Sequence, residues 1–367
     1  MDFNRAPFLV IWETTRACAL ACVHCRADAI ARRDPRELTT EEAFRLIDQV
    51  RAMAEPPTGR PPLFVLTGGD PMRRHDLVDL VRYASSVGLT VALTPSGTAA
   101  ATRARLAELK DAGLSRVAVS LDGPDAETHD AFRRVRGSYA WTMRIIESVI
   151  ELGLPLQINS TISRLTLPHL EAMAARVSEL SLTLWALFFL IRTGRGASLE
   201  QISADECERV LNFLYDLSLT VPFGIKTTEA PQYQRVVWQR EQDRITRGLP
   251  VASMERRRQL RAPRSVNDGN GFVFVDHVGN ICPSGFLPAT RGNVRTSTLA
   301  DVYRTDDLFM RLRDPDGLLG KCGHCRFRAM CGGSRSRAFA ATGAVLASDP
   351  LCAYEPGPMT ESIVAQI

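Results

Sequence analysis

Six short apolar runs punctuate residues 8–191: FLVIWE (8–13), LFVLTGG (63–69), TVALTPSG (90–97), RVAVSLDG (116–123), PLQINSTI (155–162) and LWALFFLI (184–191). Their apolar residues fill consecutive positions, which predicts strands covered on both faces, as in a parallel sheet. Between the runs the period lengthens to that of a helix. Thr39-Thr40-Glu41-Glu42 opens one such stretch with a capping hydroxyl and an acidic first turn, and Gly88, Gly113 and Gly153 close others. Six strand–helix units in a row predict an α/β fold, a partial (β/α)6 TIM-type barrel over residues 1–225.

The polar and glycine-rich segments TTRACALACVHC, TGGDP, TPSGT, SLDG, NST and RTGRG all fall at the C-terminal ends of the predicted strands. Barrels of this kind collect their chemistry there. Residues 226–270 break the pattern and predict a polar, Arg-rich linker or substrate-facing segment. Arg256, Arg257, Arg258 and Arg261 in it suit a solvated face or an acidic substrate. Residues 271–367 form a second unit. It starts with a hairpin-like FVFVDHVGNIC, turning at His277–Asn280, and ends rich in loops and cysteine.

Composition narrows the classes. Against 41 Asp and Glu stand 45 Lys and Arg, too even a balance for a nucleic-acid protein, and the Arg-rich stretch lacks interleaved aromatics. The first residues show no targeting pattern, and no run reaches the ~18–20 apolar residues of a membrane span. A cytoplasmic enzyme without membrane contact is expected. Nine cysteines in a reducing compartment point to metal rather than to disulfides. Cys18-x3-Cys22-x2-Cys25 can wrap three irons of a cubane and leave the fourth open. A structural zinc would need a fourth ligand, and His24 is squeezed between two of the three. Cys322-x2-Cys325-x5-Cys331, with Cys352 beyond, can close a cluster or a zinc site. Cys207 sits in a helix-like stretch as a packing thiol. Cys282 is a spare that could ligate, touch substrate or pack.

Cys18, Cys22 and Cys25, followed by Gly68-Gly69-Asp70-Pro71, resemble the signatures of the radical S-adenosylmethionine (SAM) superfamily, with His24 where an aromatic residue is usual. The resemblance runs through residues 8–225. It implies a SAM-binding [4Fe–4S] cluster on the three cysteines, which are catalytic through it, and a SAM amino-group site at Gly68, Gly69, Asp70 and Pro71. Asp70 replaces the commoner Glu, and Ser96 stands where relatives carry Asn. Ser120-Leu-Asp122-Gly123 is similar to a segment reaching the SAM ribose and methionine. Arg133 of His129-Asp130-Ala-Phe132-Arg133 is expected on the SAM carboxylate, and Asn159 on ribose or adenine. The tail CGHCRFRAMCGG…DPLC resembles the SPASM or twitch extension, which implies one auxiliary [4Fe–4S] cluster on Cys322, Cys325, Cys331 and Cys352. Within the superfamily the wording is similar to the enzymes of heme d1 and alternative heme synthesis, although Ser334 stands where those place a further Cys and Arg335 where a last ligand of the fuller domain would lie.

The resemblance implies an oxidoreductase that reductively cleaves SAM to a 5′-deoxyadenosyl radical. That radical dehydrogenates or oxidatively decarboxylates an unactivated position, such as a tetrapyrrole propionate. The alternative is a maturase of a ribosomally made peptide or a dehydrogenase of natural-product synthesis, although no winged-helix recognition domain fits ahead of Cys18. Expected partners are a small-molecule or peptide substrate and a low-potential donor such as flavodoxin or ferredoxin. An electron carrier would explain the cysteines but not the strand-end motifs.

Overall fold

The computed structural model describes residues 2–54, 59–250 and 266–357. All six predicted strands form: β1 (Leu9–Glu13), β2 (Leu63–Thr67), β3 (Thr90–Leu93), β4 (Leu114–Ser120), β5 (Leu156–Ile162) and β6 (Leu184–Phe189). They pair in parallel in sequence order. Their outward residues, Trp12, Phe64, Val117 and Trp185 among them, are buried in one apolar core with the helices. Helix α1 (Thr40–Ala52) begins at the predicted cap. Thr39 accepts from Glu42 N, and the Glu42 carboxylate accepts from Thr39 N, satisfying two otherwise orphaned donors.

The pattern continues where a linker is expected. Residues Gly224–Thr228 form β7, parallel to β6, and Gln232–Thr246 form a helix, here α8. The helix escapes the hydrophobic pattern because its buried face is built largely from polar side chains. Gln232, Tyr233, Arg235, Val236 and Glu241 are buried, and Arg235 is paired with Glu208 of the neighbouring helix α7 (Ala204–Ser218). The four arginines of 256–261 lie outside the described residues.

On the other side of β1 lies β8 (Phe272–Val275), also parallel, followed by the short antiparallel strands β9 (Asn280–Cys282) and β10 (Gly292–Asn293). The hairpin read at His277–Asn280 is thus present, but it joins the main sheet. The order is β10-β9-β8-β1-β2-β3-β4-β5-β6-β7, with no pairing between β7 and β8, so the barrel stays open. Among the described residues no helix is long and apolar enough to cross a membrane.

Candidate functional site

The loop after β1 carries Cys18, Cys22 and Cys25, and two neighbouring segments hold it in shape. The turn after β2 docks on it through Gly69 N to Thr15 O and Asp70 N to Ala17 O, both 2.7 Å. A Cβ on Gly69 would stand 2.5 Å from Arg16 O, so glycine is required here for packing against the cysteine loop itself. The segment after β6 clasps the far end: Arg195 N donates to Cys25 O, Nε to Cys22 O and Nη1 to Ala29 O, at 3.0, 3.0 and 3.1 Å. Gly194 lets it approach, since a Cβ there would lie 2.5 Å from Cys25 O. Arg195 belongs to the RTGRG motif, whose position was legible in the sequence and whose function was not.

All three thiols face a cavity of about 270 Å³ inside the open barrel. Of the expected SAM contacts, Gly68, Gly69, Ser96, Ser120, Arg133 and Asn159 line it. Asp70, Pro71 and Asp122 lie behind its wall. Asp70 is fully buried, accepting from Met72 N, Ser96 N and Thr98 Oγ1, and burial pushes its carboxyl above the usual range. It therefore shapes the turn on which Ser96 sits, and Ser96 Oγ in turn donates to Gly69 O at 2.6 Å. Gln157 Nε2 donates to Asn159 Oδ1 at 2.7 Å.

Arg133 ends helix α4 (Ala126–Arg133), forms an ion pair with Asp122 and points Nη1 at Cys22 Sγ, 3.5 Å away. Burial opposes the charge on Asp122, yet the Arg133 guanidinium, with a backbone hydrogen bond donated by Thr161 N, holds its carboxyl below the usual carboxylate range. His24 stacks on Phe132 with ring centroids 4.4 Å apart, and burial pushes its pKa down to about 3. A neutral, stacked imidazole does the packing of the aromatic residue it replaces.

Sequence reasoning missed the opposite wall. Arg26 pairs with Glu13 at 2.9 Å and lies over the rings of Phe274 and Phe286. Glu13 also meets His277 Nδ1 at 3.0 Å. Arg26 follows the last cysteine directly, but its partners come from β1 and from the hairpin, which no local pattern connects.

At the other end of the chain, Cys322, Cys325, Cys331 and Cys352 line one small cavity of about 20 Å³. Phe327 N donates to Cys325 Sγ at 3.4 Å, and Arg335 Nη2 lies 3.9 Å from Cys322 Sγ. Burial raises the thiol pKa of Cys325 and Cys331 and pushes Cys352 up to about 11. Such thiols ionise when a metal replaces their protons. Ser334 turns elsewhere, donating to Glu229 at the end of β7. Cys282 is buried on β9 and lines neither cavity, and Cys207 is buried in the core.

Among the described residues no group of three or more His, Cys, Asp and Glu side chains is placed to hold a single metal ion. Three cysteine thiols on one cavity and four on the other are donor sets that [4Fe–4S] clusters take, each thiol binding a different iron at a corner. The donor sets fit [4Fe–4S] clusters at both places.

The Radical SAM superfamily model matches residues 12–176. The chain is 40% identical over 97% of its length to an AdoMet-dependent heme synthase of Oleidesulfovibrio alaskensis, covering 89% of that protein. It is 36% identical over 96% of its length to one of Methanosarcina barkeri, covering 98%. Streptococcus suis SuiB, solved with its precursor peptide SuiA, shares the fold with a TM-score of 0.69 at 14% identity, over 95% of this chain and 76% of that one. The chain therefore belongs to the radical SAM superfamily, whose cofactors are a [4Fe–4S] cluster and SAM.

Proposed function

We propose that this enzyme is a heme synthase, converting propionate side chains of an iron tetrapyrrole to vinyl groups. The observation that carries it is the cavity inside the barrel, where three cysteines and six of the expected SAM contacts converge in a chain 40% identical to an AdoMet-dependent heme synthase.

Cys18, Cys22 and Cys25 would hold the cluster that, when bound and reduced, cleaves SAM to methionine and a 5′-deoxyadenosyl radical. Gly68 and Gly69 shape the seat of the methionine end, with Asp70 and Pro71 fixing the turn beneath and Ser96 beside it. Ser120 and Asn159 face the ribose side. Asp122 holds the Arg133 guanidinium charged and oriented, ready for the SAM carboxylate. A propionate that loses one hydrogen atom, CO2 and one electron becomes a vinyl group, so the reaction needs an electron acceptor. Cys322, Cys325, Cys331 and Cys352, in a SPASM or twitch-like unit over residues 271–367, would hold an auxiliary [4Fe–4S] cluster suited to that task. A flavodoxin or ferredoxin is the proposed donor.

The test is anaerobic incubation of reconstituted, reduced protein with SAM and iron coproporphyrin III. Formation of 5′-deoxyadenosine and CO2, with vinyl groups replacing propionates in the mass spectrum, is expected. Release of 5′-deoxyadenosine with an unchanged porphyrin would move the substrate to another class, a peptide first.

A further inference from the structure

Strand β7 carries a cation that nothing described so far uses. In the sheet, Ser120 on β4 pairs with Asn159 on β5, Asn159 with Ala186 on β6, and Ala186 with Lys226 on β7. Register partners in a parallel sheet point to the same face. Ser120 and Asn159 line the cavity; Lys226 and Thr228 are not themselves among its lining residues, but the register puts Lys226 in the same layer of the sheet as those two. Only the methyl of Ala186 lies between it and Asn159. Strands sit ~4.8 Å apart, which puts the Lys226 backbone roughly 10 Å from that of Asn159, a gap that a lysine stem largely spans.

The arginines that line the cavity are all paired: Arg26 with Glu13, Arg133 with Asp122 and Arg195 with Asp28. Lys226 has no ion pair or hydrogen bond among the described residues, and it is only partly exposed. Burial alone lowers its pKa, as expected for an ammonium without a counter-charge. Two residues on, and therefore on the same face, Thr228 pairs with the cavity-lining Phe188, and its Oγ1 is buried with no partner. An orphan ammonium and an orphan hydroxyl on adjacent inward positions form a cradle for a carboxylate.

We propose that Lys226, with Thr228, binds a carboxylate of the substrate and thereby orients it inside the barrel. Lys226 is a specificity residue on β7, the edge strand of the sheet. This role rests on the reading of the substrate as a carboxylate-bearing tetrapyrrole. The shape of the site asks only for an anionic carboxylate on a molecule large enough to reach from β7 to the cysteine loop.

The test titrates the cluster-loaded enzyme with iron coproporphyrin III and with its tetramethyl ester, and separately with SAM. Lys226→Met is expected to weaken binding of the tetracarboxylate about tenfold or more, the worth of one charge-assisted hydrogen bond, and Lys226→Arg to recover most of it. SAM affinity and ester affinity should stay as in the wild type. Equal tetracarboxylate affinity in wild type and Lys226→Met would overturn the role of Lys226 alone. A parallel loss of SAM affinity would also overturn it, by showing a general disturbance of the cavity. A wild-type enzyme that binds no tetracarboxylate porphyrin at all would instead overturn the tetrapyrrole reading, and this proposal with it.

Discussion

The two cysteine sites are built on opposite plans. The N-terminal one has three thiols on a loop, a cavity of about 270 Å³ beside them and a ring of paired charges around it. The C-terminal one has four thiols round a cavity of only about 20 Å³. On the proposed reading, three ligands beside a large cavity leave one iron of a cluster open to SAM, and four ligands close the other cluster. On that reading the first site does the chemistry on a ligand and the second holds an electron.

Removing a thiol from each site separates the two plans most sharply. Cys22→Ala should bring 5′-deoxyadenosine formation to background and lower iron from about eight to about four per chain. Cys331→Ser should lose a similar amount of iron yet still cleave SAM, with vinyl product falling well below the 5′-deoxyadenosine released. If Cys331→Ser also ended SAM cleavage, the division of labour would be wrong.

Gly69→Ala probes the packing that only the first site needs. Its Cβ would meet Arg16 O and Ala17 O at 2.5 and 2.6 Å, a backbone clash worth about 1–3 kcal/mol. Thermal unfolding of the iron-free protein should show this as a lower Tm, and an unchanged Tm would mean that the turn shifts freely.

Near the second site, burial and Asp268 raise the Glu229 carboxyl well above its ordinary 4.5. The folded state thus holds a proton that the unfolded chain releases near 4.5, and stability falls as pH rises from there through the raised value. Glu229→Gln should remove that fall, so the gap in Tm between variant and wild type should shift in the variant's favour with rising pH. A gap independent of pH would show that the carboxyl titrates normally. The smallest effect belongs to Ser334→Cys. Because Ser334 faces Glu229 and not the four-cysteine cavity, iron content should stay at the wild-type value, and additional iron would reopen a larger ligand set.

Much of this protein was legible before any coordinates. The six strands were readable because a strand buried on both faces must be continuously apolar, and the cysteine spacings because cluster ligands from one loop are local in sequence. The strand-end motifs followed from the strands. What escaped were features set by distant partners. The polar buried face of α8 meets Glu208 and Tyr215 of α7 and, through Gln232, the distant Asp349, so it carries no apolar stripe to read. Asp70 looked like a ligand residue, yet packing turned its carboxylate into the wall that positions Ser96. Arg195 and Gly194 reach the cysteine loop across some 170 residues of chain, and the pairing of Arg26 with Glu13 and the hairpin depends on β8 closing against β1. Lys226 is the plainest case. Its one-dimensional neighbours mark it only as a polar residue in an unpatterned stretch, and the register of four strands brings it into line with Ser120 and Asn159. Local chemistry is written residue by residue along the chain, whereas which face a side chain shares is decided only when the sheet sets its register.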